Sequence, residues 1–167
     1  VERLLPLFDN GNDVGLITEA GLPAVADPGS QLVKLCHRHN IEVVPCSGPS
    51  SLMLALMGSG LNGQSFAFLG YIPAKTDERR QALKSIEKHS ASAHQTKIMI
   101  ETPYRNDSLF ADILNVCQGS TELCVAADIT MPDAYIMTKT VAEWKRYVAG
   151  KENIIGKRPC VFLILAH

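Results

Sequence analysis

Apolar positions along the chain fall alternately into short runs and helical stripes. Val14 to Thr18, "VGLIT", is rich in β-branched residues and predicts a strand buried on both faces of a parallel sheet. In Ser30 to His39, Leu32, Leu35 and Cys36 recur at helical spacing and Ser30 stands where a cap belongs. "IEVVPC" is strand-like again, so Val14 to Cys46 is expected to form one right-handed βαβ unit with parallel strands. Leu52 to Met57 opens a small apolar helix, and Val1 to Phe8 reads as part of another. Farther on, "SFAFLGYIPAK" alternates before a Gly-Tyr-Ile-Pro bend, and "TDERRQALKSIEKH" is a charged helix with Ala82, Leu83 and Ile86 inward. His89 to Thr96 reads as a small polar loop. "KIMIE" is a strand ending at Glu101, and "RNDSLFADILNVC" puts Leu109, Ile113 and Cys117 on one helical face. "ELCVAADI" is a strand, "DAYIMTKT" an antiparallel neighbour, "VAEWKRY" a short helix and "CVFLILA" a last buried strand. There is no internal repeat. The pattern predicts an α/β protein of two domains, residues 1–64 with a mostly parallel sheet and residues 65–167 with a mixed one, joined through Asn62 to Ser65.

Two expected strands end in loops of unusual chemistry. "GLITEAGLPAVADPGS" places Gly21 where positive φ or close backbone approach is needed, while Pro23 and Pro28 prevent regular structure from continuing. "PCSGPSSLMLALMGSGL" breaks at Gly48 and Pro49 and supplies Ser50 and Ser51 as donors or caps. Ligands of open α/β sheets sit beyond the carboxyl ends of the strands. A cleft of backbone N–H groups and hydroxyls suits a polar cofactor. Neither loop is a G-x-G-x-x-G or Walker A sequence, so a dinucleotide or nucleoside triphosphate is not indicated. An ordinary turn-rich connection remains the alternative for the first loop.

Composition narrows the class. The chain has 167 residues, 46% hydrophobic and 20% charged, the make-up of an ordinary globular protein with a sizeable core. No apolar run reaches the roughly 18 residues of a membrane span, and the first residues lack a signal-peptide pattern. Five cysteines without C-x-x-C are expected to be reduced thiols of a cytoplasmic protein: Cys36, Cys46, Cys117, Cys124 and Cys160 read as small buried hydrophobes. His37 and His39, two apart on a helix, cannot share a face, and no metal site is expected. A net charge of −1 offers no global attraction to nucleic acid, though a local patch is compatible with it.

"EAGLPAVADPG", "VVPCSGPSS" and "FAFLGYIPAK" with Arg79 and Arg80 downstream resemble, in order and spacing, the S-adenosylmethionine-dependent tetrapyrrole methylase superfamily. "IETPYRN", "AADIT" and "PCVFLILA" extend the resemblance over nearly the whole chain, nearest to the branch that methylates a ribose 2′-oxygen of small-subunit ribosomal RNA. The resemblance implies a two-domain methylase fold with S-adenosylmethionine in the cleft, and a homodimer. It implies that Thr18, Glu19, Ala20, Gly21, Leu22, Ser50 and Ser51 meet the methionine and ribose of the cofactor. Ile129, Thr130, Pro159 and Cys160 are implied to hold its adenine. Family members carry a further strand, loop and βα unit before the residue that begins this chain, so the sequence is expected to be an N-terminally incomplete methylase. Ala127, Asp128 and Met131 stand where the RNA-modifying branch has an arginine, a glutamate and a lysine.

The acceptor stays open between RNA and a tetrapyrrole or other small molecule, with a non-catalytic binding domain as a third reading. Arg105 and the basic helix favour RNA; Ala127, Met131 and the near-neutral charge favour the others. Methyl transfer from a sulfonium is an in-line displacement by an activated donor, so positioning dominates and no triad is required. A ribose hydroxyl would still need a base in reach, for which Glu101 and Tyr104 are candidates. Thr102 and Arg105 are candidates to face the acceptor. The plainer alternative is that Thr102 or Asn106 caps the next helix and Arg105 is solvated. Glu19 either orders its loop or orients a ligand group. Arg79, Arg80, Lys84 and Lys88 read as a solvated helix face or an RNA-contacting stripe.

Overall fold

The computed structural model describes residues 1–152 and 154–167, which divide into two compact units, Val1–Ser50 and Ser51–His167. The division falls before helix α2 (Ser51–Ser59) and not at the expected 64/65, because α2 buries Leu52, Ala55 and Leu56 against the sheet that follows. Asn62, expected in a linker, instead organises a turn: its Oδ1 accepts from Gln64 N–H at 2.9 Å and its Nδ2 donates to His94 O at 2.7 Å.

The second unit is a five-stranded mixed sheet between helical layers. Its strands are β1 (Phe66–Tyr71), β2 (Thr96–Ile100), β3 (Glu122–Ala127), β4 (Tyr135–Thr140) and β5 (Cys160–Leu165), in the spatial order β1-β2-β5-β3-β4. β1 and β2 are parallel through the crossover helix α3 (Thr76–Ala93), and all other neighbours are antiparallel, as expected for a mixed sheet. Period-two alternation sorts the central strands between two cores. Met99, Val125, Phe162 and Ile164 pack with α3, α4 (Asn106–Val116) and α5 (Val141–Tyr147), whereas Ile98, Cys124, Ala126, Val161 and Leu163 pack with α2. Both faces being covered explains why these strands read as continuous apolar runs. The predicted face of α4 is present, with Leu109, Ile113 and Cys117 all buried. A capping box at Thr140 and Glu143 starts α5.

Several expectations are corrected. Helix α3 does not stop before His89 but runs to Ala93, where His94 takes a left-handed cap at φ 45° and Ser90 Oγ bonds Gln95 O at 2.8 Å. Arg79 is not on a solvated face; it is 4% exposed and paired with Asp112.

The first unit holds a 3₁₀ helix, Glu2–Gly11, and helix α1 (Ser30–Arg38), which buries Leu35 and Cys36. The expected strands at Val14 to Thr18 and Glu42 to Val44 do not form, so the mostly parallel N-terminal sheet and the βαβ unit are absent among the described residues. A strand exists only where its N–H and C=O groups find a neighbour, and a parallel strand also needs cover on both faces. Here Ile17 is 90% and Val44 70% exposed. Ser30 is the first residue of α1 and not its cap; Gly29 takes that place at φ 146° without a side-chain bond. Cys46 is exposed, unlike the other four cysteines.

Candidate functional site

One end of the sheet in the second unit gathers the segments on which the sequence placed most of its chemistry. Register aligns Tyr71 with Ile100, Ile100 with Val161, and Ala127 with both Cys160 and Tyr135. Segments 101–106, 128–134 and 154–159 therefore leave the sheet together.

At the end of β2 the chain turns through Thr102 into a 3₁₀ turn, Pro103–Arg105, and then into α4. Pro103 suits the first position of such a turn, where no N–H is needed. Glu101 is 5% exposed, and its Oε1 accepts from Thr102 N–H at 2.7 Å and from Arg105 Nη2 at 2.9 Å. The hydrogen bond and charge of Glu101 raise the already high pKa of the Arg105 guanidinium. Glu101 is thus turned inward, and its bonded oxygen is occupied by donors of its own chain. Tyr104 is 80% exposed, with Lys157 Nζ lying 5.2 Å from its ring centroid. Neither Thr102 nor Asn106 caps a helix with its side chain. Asn106 is fully buried and donates through Nδ2 to Gly156 O at 3.2 Å and Arg158 O at 2.7 Å. Asp107 accepts from Ile155 N–H at 3.0 Å and Gly156 N–H at 3.1 Å. These two residues fasten the loop before β5 to the start of α4.

The same loop joins the segments implied to hold adenine. Asp128 N–H donates to Pro159 O at 3.0 Å, and Met131 N–H closes a turn onto Asp128 O at 2.9 Å. Ile129 and Thr130 thereby lie beside Pro159 and Cys160. Asp128 and Thr130 are left-handed, at φ 49° and 75°. That conformation is strained for a β-branched residue, and such strain gathers at functional sites. Arg158 Nε donates to Ile155 O at 2.8 Å and lies 3.8 Å from Asp128 Oδ2. Burial pushes the Cys160 thiol up to about 12, so it is a neutral packing group.

In the first unit, Thr18 Oγ1 donates to Ala20 O at 3.3 Å, Glu19 is exposed, and Val25 N–H closes a turn onto Leu22 O at 3.2 Å. Gly21 has φ +73°, and a Cβ there would meet nothing within 4 Å, so the loop backbone faces open space. Ser50 is buried and Ser51 begins α2. Among the described residues no group of three or more His, Cys, Asp or Glu is arranged for a metal, and no helix is long and apolar enough to cross a membrane.

Lys157 and Asp107 are not singled out by the sequence, and Asn106 is marked there only as a candidate cap. Asn106 and Gly156 are 50 positions apart, and no short-range pattern signals that contact.

The fold is one found among solved methyltransferases. Cobalt precorrin-4 methyltransferase, a cobalamin biosynthetic enzyme, superposes with a TM-score of 0.54 at 18% identity, over 87% of this chain and 61% of its own. The chain belongs to the Tetrapyrrole (Corrin/Porphyrin) Methylases family, which it matches over residues 1–145. It is 35% identical over 153 residues to the Ribosomal RNA small subunit methyltransferase I of Vibrio cholerae, covering 92% of this chain and 50% of the relative. The protein of the same name from Pseudomonas aeruginosa is 32% identical over 162 residues, 97% of this chain and 56% of the relative. The chain thus spans about half the length of these relatives.

Proposed function

We propose that this chain is part of an S-adenosylmethionine-dependent methyltransferase that acts on ribosomal RNA, at a ribose 2′-oxygen. The observation that carries the reading is its 35% identity, over 92% of its length, to a ribosomal RNA methyltransferase. The turns fit the cofactor: Gly21 leaves room that a Cβ would occupy, and the Asp128–Thr130 turn offers backbone groups beside the apolar Ile129. Bound S-adenosylmethionine would supply an activated methyl group. In this reading Thr18, Glu19, Ala20, Gly21, Leu22, Ser50 and Ser51 bind the methionine and ribose portions, and Ile129, Thr130, Pro159 and Cys160 bind adenine. Thr102 and Arg105 orient the acceptor. In this reading the full protein is a cytoplasmic homodimer. Ala127 and Met131, where the RNA-modifying branch is cationic, favour a second reading with a tetrapyrrole or other small acceptor. The test is calorimetry of the full-length protein with S-adenosylhomocysteine, followed by incubation with labelled S-adenosylmethionine and a cell extract. Heat of binding and label in RNA are expected; no heat at saturating ligand refutes the methyltransferase reading, and label in small molecules alone refutes the RNA acceptor.

A further inference from the structure

We infer that Tyr104, Arg105 and Lys157 form a seat for one unpaired nucleotide of single-stranded RNA, the base stacked on Tyr104 and its phosphate held by the two cations. The inference rests on the RNA reading above and deepens it by assigning residues to a contact with the acceptor strand. Tyr104 exposes 80% of its surface, on a turn made stiff by Pro103 and closed by Arg105 N–H to Thr102 O at 2.9 Å. An aromatic ring held rigidly in water is the platform on which unstacked bases are received. Lys157 lies 5.2 Å from that ring and has no ion-pair partner among the described residues.

Three carboxylates of these segments are already engaged, while Asp133 in segment 128–134 is exposed. Glu101 accepts from Thr102 N–H and Arg105, Asp107 from two backbone N–H groups, and Asp128 faces Arg158. Lys157 and the half-exposed Arg105 place two cations beside Tyr104, which suits a phosphate. Glu101 acts as a positioning residue: buried itself, it fixes a guanidinium whose side chain is 43% exposed. The only buried side-chain polar atoms without a partner among the described residues are Glu101 Oε2, Arg105 Nε and Asn106 Oδ1, all in this junction. Such orphans call for an explanation. Here a donor and an acceptor of one ion pair stand unmatched, as they would where the final placement of Arg105 is set by a further contact.

The test is fluorescence anisotropy of the full chain with a labelled, mixed-sequence single-stranded RNA oligonucleotide, and with the same sequence as a duplex. Single-strand binding is expected to be the tighter, because duplex bases are already stacked. Tyr104→Ala is expected to weaken single-strand binding about tenfold or more, and Tyr104→Phe to stay within about twofold of the parent, since stacking needs the ring alone. Lys157→Gln is expected to reduce the slope of log K against log salt by about 0.7. Single-strand binding unchanged in Tyr104→Ala, or a preference for duplex, overturns the inference. Calorimetry with S-adenosylhomocysteine on the same samples separates the two readings: heat of binding without RNA affinity removes the nucleotide seat and leaves the methyltransferase, and RNA affinity without heat does the reverse.

Discussion

Replacing Asp112 by alanine probes a buried charge cluster that joins α3 to α4. Arg79 and Asp112 each expose 5% of their side chains, and Asp112 Oδ2 accepts from Arg79 Nε at 2.7 Å and lies 2.5 Å from its Nη2. Arg80 Nε donates to the other oxygen at 2.8 Å but is 46% exposed. Removing the carboxylate strands a buried guanidinium whose remaining bond is Nη1 to Ala74 O at 3.3 Å. Breaking one side of a buried pair costs about 3–5 kcal/mol, and the exposed Arg80 contributes less than about 1 of that. With a urea slope of roughly 2 kcal/mol/M, the unfolding midpoint of Asp112→Ala is expected about 1.5–2.5 M below that of the parent. Arg80→Ala is expected to move it by less than about 0.5 M. pH adds a second signature. Burial alone would raise the Asp112 carboxyl, but hydrogen bonds from Arg80 and Arg79 outweigh it and hold the carboxyl below its ordinary value. A depressed native pKa gives stability that is present above the unfolded value of about 3.9 and is lost as pH falls through the native one. Asp112→Asn should flatten that acid limb. A midpoint shift below about 0.5 M for Asp112→Ala would refute the reasoning, because the pair would then be worth no more than a surface contact.

Gly21→Val is expected to abolish S-adenosylhomocysteine binding in calorimetry while circular dichroism shows the second unit folded; binding as tight as the parent would make the loop a mere connection. Gly29→Ala should act on stability instead, by about 1–3 kcal/mol in urea unfolding, since its φ is 146° and its Cβ would lie 2.7 Å from Leu16 Cδ2. Under native conditions an aromatic disulfide reagent should titrate one thiol per chain, that of exposed Cys46, and all five after unfolding. Burial pushes Cys117, like Cys160, up to about 12, so rapid labelling of either would contradict the packing described.

What the sequence by itself determined is clearest where local pattern and burial coincide. The runs of β2, β3 and β5 are apolar because both of their faces are covered, and Leu109, Ile113 and Cys117 recur every fourth residue because one side of α4 meets the sheet. The loop around Gly21 is likewise legible as a break, and it contains left-handed residues, whereas the strand read through Ile129 ends at Ala127. Tertiary structure decided the rest, because the deciding partners lie far along the chain. Val14 to Thr18 has the composition of a strand, yet among the described residues no neighbour pairs with it, and β-propensity measures fit to a half-buried surface more than an intrinsic backbone preference. Arg79 looks like a surface cation until Asp112 is placed beside it, 33 positions later. Glu101 is a candidate base in the sequence, and only the fold shows it buried with Thr102 N–H and Arg105 donating to its Oε1. Lys157 has no motif; it reaches Tyr104 because Asn106 and Asp107 fasten its loop, and which buried polar groups find one another is settled only when the chain closes on itself.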